Sequence, residues 1–303
     1  MGFLDLSGSL GRHFGSIGLP LNEITTQLTL IPQHHLEISG AAQARAGKYT
    51  RQLCRELGVP DTFKINIESA IPEHVGLGSG TQLSLAIGMG LNALYGLGLN
   101  VRDVAKLSDR GKRSGIGIAV FEQGGLVVDG GRGEHTLTPP VIVRMPIPEN
   151  LRFILIFDRR GQGLHGHQEI QAFKALPCFP AEQAARLCYL LLMQGLPAFA
   201  EGNIRLFGDV ITELQQAVGT HFAAAQGGVF TSSEVAEAIA WLQSQGAVAI
   251  GQTSWGPTGF CALEGAEKAA VLVKQVQAKF THLRNLGFFL ASGRNLGGTV
   301  VAR

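Results

Sequence analysis

From Pro72 to Gln82 the chain reads Pro-Glu-His-Val-Gly-Leu-Gly-Ser-Gly-Thr-Gln, a composition suited to cradling phosphate. Gly76, Gly78 and Gly80 let backbone amides approach an anion closely, while Ser79, Thr81 and Gln82 add side-chain donors. At the mouth of a helix such a loop also meets unpaired N–H groups and roughly half a positive charge, enough to hold phosphate without a lysine. The plainer alternative is a glycine turn with Ser79 or Thr81 as an N-cap. The spacing fits neither GxxxxGK[ST] nor GxGxxG, which argues against Walker-type and dinucleotide sites.

Three further stretches carry groups able to do chemistry. Asp158-Arg159-Arg160-Gly161-Gln162-Gly163 offers more phosphate donors, or simply exposed arginines. His165-x-His167-x-Glu169 would set three metal ligands on one face of a strand, although Gly161, Gly163 and Gly166 favour a loop. Gln252-Thr253-Ser254-Trp255-Gly256-Pro257-Thr258 combines hydroxyls, an indole and a glycine, either a pocket wall or a strand-end turn with a core tryptophan.

The elements that must position these groups follow from periodicity. Strict alternation over 63–68 predicts a strand feeding directly into the glycine loop. Beyond Thr81, Leu83, Ile87, Leu91 and Leu94 recur at helical spacing, and Gly96 stops the run. Further strands are predicted at 24–30, 35–38, 125–129, 151–157, 247–250, 259–263 and 287–291. Helices are predicted at 41–57, 101–110, 181–193, 204–217, 233–245 and 266–279, with 111–133 as a glycine-punctuated region. The unequal alternation favours an α+β fold over a barrel or a doubly wound sheet. Two domains are expected, 1–145 and 146–303, with a proline-marked hinge inside 139–150.

Composition narrows the partners. Lysine and arginine number 25 against 23 acids, and they are spread along the chain, so neither nucleic acid nor an anionic membrane is indicated. The 41 glycines, about twice average usage, follow no period and imply many tight turns. Cys54, Cys178, Cys188 and Cys261 form no CxxC pair and are expected as buried thiols in a reducing cytoplasm. Gly2-Phe3-Leu4-Asp5-Leu6 reads as the second half of a strand, so either translation starts upstream of Met1 or the protein lacks its first few residues.

Residues 72–81 resemble the second GHMP motif, PxxxGLGSSA, with Gly80-Thr81 in place of Ser-Ala. Within that superfamily the chain resembles the β-ribofuranosylaminobenzene 5′-phosphate synthase family in three more places. The opening Phe3-Leu4-Asp5-Leu6-Ser7-Gly8-Ser9-Leu10-Gly11-Arg12 is similar to its first signature. Lys112-Arg113-Ser114-Gly115-Ile116-Gly117 with Phe121-Glu122 is similar to its middle one, and residues 251–258 to its last. The resemblance implies a two-domain GHMP-kinase-like fold, ribosomal S5-like at the N-terminus and ferredoxin-like at the C-terminus.

The family reaction joins phosphoribosyl pyrophosphate to 4-aminobenzoate or 4-hydroxybenzoate, releasing carbon dioxide and pyrophosphate on the route to methanopterin-type cofactors. It implies Mg²⁺ and a phosphate site at Gly76, Gly78, Ser79, Gly80, Thr81, Gln82, Lys112, Arg113, Ser114 and Gly115. Asp5 would stabilise the ribosyl cation or hold Mg²⁺, Arg12 would bind an anion, and Gln252, Ser254, Trp255 and Gly256 would wall the aromatic pocket. A cytoplasmic homodimer is implied as well. Two alternatives stay open: an ATP-dependent GHMP small-molecule kinase, weakened because Gly117 stands where such kinases carry an aspartate, and a non-catalytic nucleotide or metabolite sensor.

Overall fold

The computed structural model describes residues 1–161, 176–254 and 256–301. Gln162, Gly163, His165, His167, Glu169 and Trp255 lie outside the described residues. The first half contains β1 (Gly2–Asp5), β2 (Phe14–Gly18), β3 (Gln27–Pro32), β4 (Glu37–Gly40), α1 (Gln43–Leu57) and β5 (Phe63–Ser69). Then come α2 (Ser79–Tyr95), α3 (Val101–Leu107), α4 (Ile116–Gln123), β6 (Leu126–Asp129) and β7 (Val141–Met145). The second half contains β8 (Leu151–Asp158), α5 (Ala181–Leu190), α6 (Leu196–Ala200), α7 (Ile204–Gln226), α8 (Ser233–Ser244), β9 (Val248–Gln252), β10 (Gly259–Glu264), α9 (Ala266–Lys279) and β11 (Leu286–Ser292).

These strands form three sheets among the described residues, in the orders β1-β2-β6-β7, β3-β5-β4 and β11-β8-β10-β9, an α+β arrangement. All pairings are antiparallel except β4 with β5. β5 is the centre of its sheet because its alternation buries Phe63, Ile65 and Ile67 completely or nearly so. α2 covers that face with Leu83, Leu85, Ile87 and Leu91, in the cluster that also holds Val104 of α3. Gly88 allows the two helices to touch, since a Cβ there would lie 2.2 Å from Val104 Cγ1.

β8 is apolar on both faces and divides its side chains between two cores. Phe153 and Leu155 pack with Phe207, Ile211 and Leu214 of α7, while Ile154 and Ile156 pack with α8 and α9. The α7 side also takes in Phe3, Leu4, Ile17, Leu126 and Val128, so one continuous core runs from the first sheet to the last.

Several expectations need correcting. β2 and α4 were not anticipated, because Phe14-Gly-Ser-Ile-Gly and Gly115-Ile-Gly117 read locally as glycine turns and only tertiary packing makes them regular. The helix expected at 181–193 stops at Leu190 and continues as a π turn over Leu191–Gly195, just ahead of Pro197. The helix expected to end at 217 runs on to Gln226, carried past Gly219 by the buried side chains Val218 and Phe222. Cys54 and Cys261 are buried, but Cys178 and Cys188 are exposed, the first just ahead of Pro180 and the second on the outer side of α5.

Candidate active site

β5 delivers the chain into the glycine loop, and α2 begins at its far end. Gly76 and Gly78 both take left-handed backbone, with φ of 72° and 71°. Gly78 caps α2 through its carbonyl, which accepts from Thr81 N at 3.0 Å and Gln82 N at 3.1 Å. No side chain caps the helix, so the amides ahead of Thr81 have no capping partner.

A second helix mouth lies beside the first. Gln82 Nε2 donates to the Gly117 carbonyl at 2.7 Å, and a Cβ on Gly117 would stand 3.0 Å from Thr81 Cγ2. The first turns of α2 and α4 are thereby held in contact. A side chain at Gly117 would crowd Thr81, which would have to give way by a few tenths of an ångström.

Behind α4 stands Asp129, at the end of β6, which local sequence reading missed. Its carboxylate accepts from Ser16 Oγ at 2.6 Å, Gly115 N at 2.8 Å, Ser114 Oγ at 3.3 Å and Gly131 N at 2.8 Å. Burial raises its pKa, and the hydrogen bonds pull back against that shift without cancelling it. Ser114 and the Gly115 amide are thus fastened inward to Asp129. Arg12 grips the next turn of the same chain, donating to the carbonyls of Gly130 and Gly131 at 2.9 Å each. Beside it lies a hollow of about 360 Å³ lined by Gly11, His13, Phe14, Arg132, Gly133 and Glu134.

The C-terminal segment closes the loop from the other side. Thr253 Oγ1 donates to the Val75 carbonyl at 2.8 Å. A Cβ on Gly76 would sit 2.3 Å from Thr253 Oγ1, and one on Gly256 would sit 2.7 Å from the Val75 carbonyl oxygen. Both glycines are needed for this approach. Gln252 is buried, accepting from Thr231 N at 3.0 Å and donating to Gln226 at 3.1 Å, whereas Ser254 is exposed.

The remaining predicted residues are placed as follows. Asp5 Oδ1 accepts from Ser7 N at 2.8 Å, Ser7 Oγ at 2.6 Å and Gly8 N at 3.2 Å, closing the opening turn, and among the described residues no hydrogen bond takes it to α2 or α4. Lys112 is exposed and paired with Asp109, while Arg113 is half-buried just before α4. Asp158 and Arg160 join Ser232, Glu234 and Asn285 in a network around the end of β8. Arg45 of α1 is a residue that no motif announced: it donates to Ser79 Oγ at 3.1 Å and pairs with Glu73 at 3.1 Å.

Among the described residues no three His, Cys, Asp or Glu side chains gather as a metal cage. Asp5, whose three hydrogen bonds all fall on Oδ1, keeps Oδ2 as an oxygen that could serve a cation. No helix among the described residues is long and apolar enough to cross a membrane.

This combination of folds and glycine loop defines the GHMP class. The model for the GHMP kinases N terminal domain matches residues 44–125, and that for the GHMP kinases C terminal matches 196–282. Lactococcus lactis galactokinase superposes with a TM-score of 0.70 at 13% identity, covering 98% of this chain and 92% of its own. Homoserine kinase from Cytophaga hutchinsonii gives 0.65 at 16%, covering 93% and 90%.

Sequence relatives narrow the class. A β-ribofuranosylphenol 5′-phosphate synthase of Methanothermobacter thermautotrophicus is 30% identical over 84% of this chain and 83% of its own. One of Archaeoglobus fulgidus is 34% identical over 70% and 71%. A 4-diphosphocytidyl-2-C-methyl-D-erythritol kinase of a Synechococcus species is 35% identical over 71% and 74%, a reminder of the common scaffold. The chain belongs to the β-ribofuranosylphenol 5′-phosphate synthase family of the GHMP superfamily.

Proposed function

We propose that this enzyme joins the anomeric carbon of phosphoribosyl pyrophosphate to the carboxyl-bearing ring carbon of 4-hydroxybenzoate or 4-aminobenzoate, in tetrahydromethanopterin biosynthesis. The C1–oxygen bond to pyrophosphate breaks, the new C1–ring carbon bond forms, and the carboxylate leaves as carbon dioxide, returning its electron pair to the ring. No separate base is needed to restore aromaticity. The relatives' names specify a phenol product, which favours 4-hydroxybenzoate as the acceptor.

The observation that carries this reading is the pair of helix mouths at Ser79–Gln82 and Gly115–Gly117, closed from the C-terminal side by Thr253. The amides there that make no bond within the protein, those of Ser79 and Gly80 first, would receive the charge growing on the departing pyrophosphate. Mg²⁺ bound with the substrate would neutralise more of it. Asp5 would face the ribosyl carbon as it gains positive character, and Arg12, Lys112 and Arg113 would serve anionic groups, with residues 252–256 walling the ring. The reading places the enzyme in the cytoplasm as a homodimer. A phosphoryl-transfer role has less support, since glycine and not an acid stands at position 117.

The test is carboxyl-labelled 4-hydroxybenzoate mixed with phosphoribosyl pyrophosphate, Mg²⁺ and enzyme. Labelled carbon dioxide and pyrophosphate should appear in equal amounts. Label retained in the acid, or ATP consumed in the presence of an alcohol acceptor instead, would overturn the reading.

A further inference from the structure

The glycine loop has no cation of its own, yet two guanidinium groups reach it from elements that carry no motif. Arg45 comes from α1, one terminal nitrogen on Ser79 Oγ at 3.1 Å and its Nε 3.1 Å from Glu73. Its other terminal nitrogen is buried without a hydrogen-bond partner among the described residues. Arg110 follows α3 and lies over the ring of Tyr49, 4.7 Å from its centroid, with Nε buried and likewise unpartnered. Buried N–H groups of a cation left unpaired are costly, and a polyanion is the partner that would relieve both at once.

Both groups converge on the first turn of α2. A Cβ on Gly80 would lie 3.2 Å from Tyr49 Oη and 3.3 Å from a terminal nitrogen of Arg110. The superfamily motif that residues 72–81 resemble has serine here, and this chain has glycine at the point where the Tyr49–Arg110 pair presses in. Glu73 offsets one of the two positive charges, which leaves the cluster with a net positive charge beside an uncapped helix mouth.

We propose that Arg45 and Arg110 are binding residues for the diphosphate of the substrate, and that Gly80 is the residue that admits Arg110 to the loop. This assignment rests on the function proposed above and names residues that act within that site. Arg45 would orient Ser79, and its unpartnered nitrogen, buried here, would turn to meet a phosphate oxygen. Arg110, held flat by Tyr49, would present a fixed fork, which a lysine cannot reproduce.

Inorganic pyrophosphate titrated calorimetrically in Mg²⁺ into wild type, Arg45→Lys, Arg110→Gln, Arg110→Lys and Gly80→Ser tests it. Arg110→Gln should weaken binding by about tenfold or more and Gly80→Ser by several-fold, with Arg110→Lys regaining part of the loss. The KM for phosphoribosyl pyrophosphate should rise in step, while the KM for the aromatic acid stays within twofold. Variants that melt like wild type and bind pyrophosphate within twofold of it would overturn this assignment and leave the reaction standing. Wild type that binds neither pyrophosphate nor phosphoribosyl pyrophosphate would overturn both. Should Arg110→Gln fail to fold, Arg110→Lys and Gly80→Ser decide by the same criterion.

Discussion

The side-chain amide of Gln82 donates to the carbonyl of Gly117 at 2.7 Å, a bond between the first turns of two helices 35 residues apart in the chain. Gln82→Leu keeps the volume and removes the donor. We expect a loss of about 1 kcal/mol in stability and roughly a tenfold fall in kcat/KM, because the two mouths no longer hold a common target. Denaturant melts and steady-state kinetics on the same preparation check both figures.

Gly76→Ala adds a methyl where Thr253 Oγ1 already stands, 2.3 Å from the Cβ position, and on a backbone with φ of 72°. Stability should drop by roughly 2 kcal/mol or more, since neither the dihedral nor the contact can be met. A melt unchanged from wild type would mean that the Val75–Thr253 junction is not closed in solution.

Asp5→Asn and Arg12→Ala should lower turnover far more than melting temperature. Asparagine retains an oxygen for Ser7 and Gly8 but carries no charge, so about a hundredfold loss of kcat with a shift of only a few degrees is expected. Arg12→Ala also frees the Gly130 and Gly131 carbonyls, so its melting temperature should fall somewhat further. Rate and melting temperature lost in equal measure would remove both residues from the chemistry.

Two buried acids should respond to pH in opposite senses. Burial works to raise the pKa of Asp158, but hydrogen bonds from Arg160, Ser232 and Asn285 outweigh it and hold the carboxyl below its ordinary 3.8. Its contribution is therefore present above about pH 4 and lost as pH falls below it. Asp158→Asn should cost roughly 2 kcal/mol at pH 7, a gap that narrows in acid. For Asp129 burial wins and the pKa is raised, so wild type should lose stability relative to Asp129→Asn as pH climbs from 3.8 through the raised value. Urea melts between pH 3 and 7 separate the two cases.

Much of the scaffold could be read locally. β5 and α2 announce themselves because Phe63, Ile65 and Ile67, then Leu83, Ile87 and Leu91, keep strand and helix periods that match the buried faces. The loop between them was visible for the same reason. α4 was not, since Gly115 and Gly117 have poor helix propensity and are tolerated only because Pro139 and Thr81 press against them. Asp129, Arg45 and Arg110 were invisible for a different reason: each acts on a segment distant in sequence, and nothing in a helix or strand pattern records what will fold against it.

The hydroxyl that seals the glycine loop belongs to a residue 178 positions after its partner. A nascent chain that has emerged only as far as α7 therefore owns the whole loop sequence but has one wall missing. Closure of the loop therefore waits for a segment made late in synthesis, and if the loop takes the diphosphate as proposed, its affinity would report that residues 75 and 253 have met.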